Sequence, residues 1–175
     1  MKPFNYRQGF TLLECLITMA ILATLASLAV PSFTASRDRA QQLYVIDQLE
    51  AAVATARHIA VSERAAVTLC GLSTRRFLGE SVSTDTIACG DSYARGVSLW
   101  IETTAGWHMR HVWEWGAVVI SNRDGSRAVS EPIVFSPRGL AFRNMTWSTC
   151  VNGANLSLVL NRVGRPVRRM GWGRC

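Results

Sequence analysis

The sequence predicts an α+β protein. A long N-terminal helix, transmembrane in its first half and amphipathic in its second, is followed by a head built as an antiparallel β-sheet or sandwich. Three observations predict it. An apolar run from Phe10 to Val30 passes into helical periodicity that lasts to Ser62. After Ala65 the apolar period changes from helical to two. Turn signals then recur about every 8–12 residues.

The apolar run holds 21 residues and a single formal charge, Glu14. At about 1.5 Å per residue it matches a bilayer core of roughly 30 Å. Lys2 and Arg7 precede it with no acid. That bias holds the N-terminus in the cytoplasm and sends the rest across. The run is too long for a signal-peptide core, and small-residue cleavage sites such as Ala20-Ile21-Leu22-Ala23 are poorly placed within it. A plain anchor has no use for Glu14, because a carboxylate in a membrane helix is costly and calls for a partner.

Pro31 should kink the helix without ending it. Beyond it Phe33, Leu43, Ile46, Leu49, Val53 and Ala60 fall near one stripe. Charged residues such as Arg37, Asp47, Glu50 and Arg57 fill the remainder, which fits a helix half-buried on a sheet. His58 reads as an exposed polar residue.

Strands follow at Ala65–Leu69, Gly96–Thr103, Trp107–Trp115, Ala117–Ser121, Pro132–Phe135, Ala141–Asn144, Thr146–Val151 and Leu156–Val163. A polar loop spans Gly71 to Asp91. In the third strand Trp107, Met109, His111, Trp113 and Trp115 alternate with His108, Arg110, Val112 and Glu114, so the tryptophan face is expected in the core. Asn122-Arg123-Asp124-Gly125, Ser136-Pro137-Arg138-Gly139 and Asn152-Gly153 supply turns.

Gly9-Phe10-Thr11-Leu12-Leu13-Glu14, the apolar helix and Pro31 together resemble the type IV prepilin family. The resemblance implies that a prepilin peptidase cuts between Gly9 and Phe10 and methylates Phe10, removing residues 1–9. Residues 10–30 are then the membrane half of the stem, 31–63 its amphipathic half and 64–175 the head. It also implies that Glu14 meets the N-terminal amine of a neighbouring subunit, two opposite charges offsetting a desolvation cost that either would bear alone. The expected location is the inner membrane, crossed once, with the head periplasmic and the subunit assembled into a pilus or pseudopilus beside other major and minor pilins.

The head resembles minor pilins and pseudopilins of the FimT/GspH type. The carrying residues are Val67-Thr68-Leu69-Cys70, Cys89-Gly90, Gly96-Val97-Ser98-Leu99-Trp100, Ile133 to Gly139, Thr149-Cys150 and Leu158 to Arg165. The implied fold is a stem helix capped by two antiparallel sheets.

Of five cysteines, Cys15 lies in the stem and reads as a small packing residue. The other four lie on the translocated side, where disulfides are permitted. They allow three connectivities. Local closure favours Cys70–Cys89 and Cys150–Cys175. Zinc is disfavoured, with no C-x-x-C pair and no histidine among them.

The net charge is +7, and every basic residue except Lys2 is arginine. From Leu156 onward Arg162, Arg165, Arg168, Arg169 and Arg174 occur without an acid, with Trp172 among them. Such a cluster suits a polyphosphate, and Trp172 could stack on a base. FimT-type minor pilins of competent bacteria carry a terminal G-R-x-R motif associated with DNA uptake. Gly164-Arg165 matches it, but Pro166-Val167 put the next arginines one place late. In an extended strand this moves Arg168 to the opposite face and leaves Arg169 on the expected one; a bulge at Pro166 would restore the match. The bland alternative is a solvated basic face, or one that meets acids on a neighbouring pilin.

Nothing points to an enzyme, a cofactor or a metal. His108 and His111 form H-x-x-H on a strand, where odd spacing separates them onto two faces. No H-E-x-x-H, G-x-S-x-G, Walker-type or dinucleotide fingerprint occurs. The leading expectation is a minor pilin of a type IV pilus, with DNA binding carried separately by the arginine tail. The alternatives are a type II secretion pseudopilin and a monomeric, membrane-anchored periplasmic binding protein.

Overall fold

The computed structural model describes residues 11–73 and 87–175. The chain divides into two compact units, Met1–Asp38 and Arg39–Cys175. One helix, α1 (Leu12–Ser62), contributes to both and runs through Pro31 without a break.

In the first unit α1 is mostly apolar, with Glu14 near its start and Arg37 and Asp38 at the far end. Its most apolar stretch has a mean hydropathy of 2.1, long enough to cross a membrane. Leu12, Leu13, Leu16, Ile17, Met19, Ile21, Leu22 and Leu25 are all exposed. Its hydroxyls bond back to the helix: Thr18 donates to the Cys15 carbonyl at 2.9 Å, and Thr24 and Ser27 donate to Ile21 and Thr24 at 2.7 Å each. That satisfies them within the helix itself.

The second unit is an antiparallel head. Its first sheet orders β1 (Val67–Gly71), β2 (Gly96–Thr103), β3 (Gly106–Glu114) and β4 (Ile133–Phe135) as β3-β2-β1-β4. The second joins β5 (Met145–Val151), β6 (Ala154–Leu160) and β7 (Pro166–Met170) in chain order. One apolar core unites Val45, Ile46, Leu49, Val53, Ala56 and Ala60 of α1 with Leu69, Leu99, Phe135, Trp147 and Leu158 of the sheets. Leu43 and Phe33, expected in the helix stripe, are exposed instead. At about 100° per residue Leu43 lies roughly 120° from the stripe's centre, and Val45, Ala52 and Ala56 fill the face.

The tryptophan alternation of β3 does not build the core. Opposite β2 the register runs Leu99↔His111 and then Trp100↔Met109, so Arg110 is the extra residue of a β-bulge. Val97 and Leu99 share a face with Trp113 and His111, whereas Trp100 and Glu102 share the other with Met109 and Trp107. Trp113 only flanks the core, and Trp115 reaches it. The aromatic centre is Trp147, fully buried, with Tyr93 packed edge-on at a ring distance of 5.6 Å. The same bulge puts His108, opposite Ile101, and His111, opposite Leu99, on one face rather than two. Both are exposed.

Two expected strands are absent. The Ala117–Ser121 segment contributes single bridges from Ser121 to Ser148 and to Ala128, and Ala141–Asn144 a single bridge from Ala141 to Phe135. The expected Leu156–Val163 strand ends at Leu160, because Asn161–Gly164 turns: the Gly164 amide donates to the Asn161 carbonyl at 2.9 Å. Gly164 has a φ of +77°, and a Cβ there would lie 2.4 Å from the Gly139 carbonyl oxygen. The turn lets the basic tail return as β7.

Cys70–Cys89 and Cys150–Cys175 are disulfide-bonded, each with a Cα–Cα distance of 5.5 Å. Most of the Gly71–Asp91 loop, residues 74–86, lies outside the described residues.

Candidate functional site

The processing pair Gly9 and Phe10 lies outside the described residues. Directly after it, Thr11 caps α1. The Glu14 amide donates to Thr11 Oγ1 at 3.2 Å, and Glu14 Oε2 accepts from the Thr11 amide at 2.9 Å and from its hydroxyl at 3.1 Å. This is a capping box, two orphan backbone donors satisfied reciprocally. The T-x-x-E spacing of Thr11 and Glu14 carries that signal in the sequence, beside the charge of Glu14. In this conformation the carboxylate has a partner within its own chain.

The arginine tail is divided among three places. β7 pairs with β6 without a bulge: Pro166↔Leu160, Val167↔Val159, Arg168↔Leu158, Arg169↔Ser157 and Met170↔Leu156. Pro166 is the first residue of an edge strand, where its missing N–H costs little. Leu158 is buried in the core beside α1, so Arg168 on the same face turns toward the helix. It binds Asp47 at 2.5 Å and also pairs with Glu50. The Glu50 hydrogen bond, foremost, holds its guanidinium above the ordinary arginine value. Arg168 is thus a strap between β7 and α1. Arg169 faces outward with Ser157 and is exposed.

Trp172 and Arg174 lie on the outer face of the second sheet, held there by the chain end. The Gly171 amide donates to the Asn155 carbonyl at 3.0 Å, and the Gly173 amide to Asn155 Oδ1 at 2.8 Å. The Arg174 amide donates to the Arg123 carbonyl at 2.9 Å. Arg123, from the Asn122–Gly125 turn, sits over the Trp172 ring at 4.1 Å. Gly173 allows the close approach, since a Cβ would lie 2.7 Å from Ser148 Oγ and 2.8 Å from Asn155 Nδ2.

Arg162 and Arg165 stay with the Asn161–Gly164 turn, and a second basic segment joins them. The Ala141 amide donates to the Arg162 carbonyl at 3.0 Å, and the Phe142 amide to the Val134 carbonyl at 3.0 Å. Gly139 and Gly164 pack together against Arg57, whose Nε donates to the Gly139 carbonyl at 3.3 Å. Arg57 and Val61 belong to the last turns of α1. The result is one pole of the head carrying Arg57, Arg138, Arg162 and Arg165, whereas the charge of Arg143 acts on the Tyr93 hydroxyl. Residues 132–175 contain no acid at all. Among the described residues, no ion pair involves Arg138, Arg143, Arg162, Arg165 or Arg169. Glu63, at the end of α1, is taken by Arg110 at 2.7 Å.

No group of three or more potential metal ligands occurs among the described residues.

Two family models match the chain. The prokaryotic N-terminal methylation motif covers residues 4–30, and the type II transport protein GspH covers residues 45–164. No curated protein matches. Among solved structures, the type IV minor pilin FimU of Pseudomonas aeruginosa is similar in two crystal forms. One has a TM-score of 0.55 at 18% identity over 78% of this chain and 96% of that one. The other has 0.53 at 17% identity over 75% and 98%.

Proposed function

Because the chain belongs to the type II transport protein GspH family and carries a prokaryotic N-terminal methylation motif, we propose that it works as a minor pilin of a type IV pilus. The observation that carries the reading is the join of that motif, with its apolar helix and Glu14, to a two-sheet head like that of a minor pilin. On this reading prepilin peptidase cuts after Gly9 and methylates Phe10. The helix crosses the inner membrane once and leaves the head in the periplasm. Glu14 exchanges its bond to Thr11 for the amine of a neighbouring pilin during assembly. Pro31 bends the stem.

The test is co-expression with a prepilin peptidase and mass spectrometry of the product. Loss of residues 1–9 and a methylated Phe10 support the reading, and an unprocessed chain overturns it. Glu14→Ala should insert in the membrane yet stay out of filaments.

Nucleic-acid binding is the finer part of the proposal. Arg162, Arg165 and Arg169 are exposed and without ion pairs among the described residues, which supports a phosphate-binding surface. Arg168 is engaged with α1 and drops out of it. Trp172 and Arg174, with Arg123, share the outer face of the second sheet with Arg169, away from Arg162 and Arg165. Binding should weaken steeply with salt and fall when Arg162, Arg165 and Arg169 become Gln. No binding at low salt would end this part.

A second reading, a type II secretion pseudopilin, draws on the match to the GspH model itself. Deleting the gene separates the two: lost piliation with intact secretion supports the pilus, and the reverse supports the pseudopilus.

A further inference from the structure

We propose that the pole where α1 ends is a binding site for single-stranded nucleic acid, with phosphates on Arg138, Arg162 and Arg165 and a base stacked on Phe142. The inference rests on the nucleic-acid reading above and adds the residues and the strand state.

The arginines reach this pole from two turns distant in the chain, joined by the Ala141–Arg162 bond and the Gly139–Gly164 contact. α1 enters the head at Arg39 and reaches the pole near Val61. At about 1.5 Å per residue that is roughly 30 Å from the entry point, the end of the head farthest along the helix.

Charge alone would serve a duplex equally well. The aromatic distinguishes them. Phe142 is 63% exposed, between Ala141, which bonds the Arg162 turn, and Arg143. Leu140, Val163 and Val61 are exposed as well. Bases can reach an aromatic face only when unpaired, whereas a duplex offers this surface its phosphates alone. Trp172 cannot do this work for the same phosphates. β7 separates it from Arg165 by roughly 20 Å of extended chain, and Arg123 already covers one face of its ring. An acidic protein is the competing occupant of an arginine-and-apolar surface. The acid-free run of residues 132–175 favours the densest polyanion, and the experiment decides between them.

The experiment uses the full-length chain in non-ionic detergent, with an oligothymidylate and a duplex of equal length followed by fluorescence anisotropy. The wild type should bind the single strand more tightly. Phe142→Ala and Phe142→Leu should each weaken the single strand roughly tenfold and leave the duplex unchanged, and Phe142→Tyr should retain binding. R138Q/R162Q should weaken both ligands. Equal loss of both ligands in F142A, or no loss in F142L, overturns the stacking role while the arginine reading stands. Competition by polyglutamate as effective as by oligothymidylate assigns the pole to an acidic protein and overturns the proposal. If neither oligonucleotide binds at low salt, the nucleic-acid reading itself fails and takes this one with it.

Discussion

Arg168 on β7 holds Asp47 on α1 at 2.5 Å and reaches Glu50 one helical turn on. A residue that reads as part of a basic tail is a tie between helix and sheet. Its neighbour Arg169 points the other way and binds neither acid. That difference is measurable. Arg168→Gln should lower stability by under about 1 kcal/mol, because all three side chains are a third to a half exposed and the pairs are screened. It should leave oligonucleotide binding nearly unchanged. Arg169→Gln should do the reverse. Thermal melts and anisotropy titrations of the two variants check this, and a larger binding loss in R168Q than in R169Q would contradict it.

The Thr11–Glu14 box makes a prediction about the helix start. Thr11→Ala removes an N-cap and should cost the first turn about 1 kcal/mol, with Thr11→Ser restoring it. Hydrogen exchange of the Leu13 and Glu14 amides in detergent reads this directly. Equal protection in T11A and the wild type would show that the box contributes nothing.

Tyr93 should make the head sensitive to alkali. Burial, with the Glu131 charge second, pushes its phenol well above the ordinary value. The folded state therefore keeps a proton that the unfolded chain releases at a pH of about 10. Stability is full below that point and falls as pH rises through and beyond it. Tyr93→Phe should remove most of this alkaline slope. It should also cost about 1 kcal/mol at neutral pH, because the hydroxyl donates toward the carbonyls of Leu69 at 3.2 Å and Glu131 at 3.0 Å. Denaturant melts across the alkaline range supply the measurement. An unchanged slope in Y93F would count against the assignment.

Gly173→Ala should free the chain end. The new methyl meets Ser148 Oγ, Asn155 Nδ2 and the Arg123 carbonyl, all within 3.1 Å, so the tail must lift from the sheet. Trp172 should lose its cover by Arg123, and Cys175 should become easier to reduce and alkylate. Intrinsic fluorescence and thiol labelling under mild reductant report the two changes. If both match the wild type, the close packing of the tail is unimportant.

Much of the head was legible because local chemistry encodes it. Asn152 and Gly153 adopt φ values of 48° and 75°, which is what a two-residue hairpin between Val151 and Ala154 requires. The Gly96–Thr103 strand has the same bounds in sequence and structure. Illegible features depended on pairing. One bulge residue, Arg110, divides the tryptophans of β3 between two faces, and period-two reading cannot detect an insertion that only a partner strand defines. Ala117–Ser121 and Ala141–Asn144 have strand-like composition but find only single-residue bridges. Propensity describes fit to a pleated surface and does not supply the neighbour.

The candidate site divides along the same line. Sequence alone determined the methylation motif, the apolar helix, the lone Glu14 and the run of arginines without acids. These are properties of residues in order, and hydropathy, charge and spacing carry them. Only the tertiary structure decided where each arginine points. Strand parity along β7 turned Arg168 to α1 and Arg169 to solvent, since side chains alternate about a backbone whose register β6 sets. Two turns distant in sequence then met at the end of α1 and brought Phe142 to Arg162, because packing, unlike periodicity, joins residues without regard to their separation along the chain.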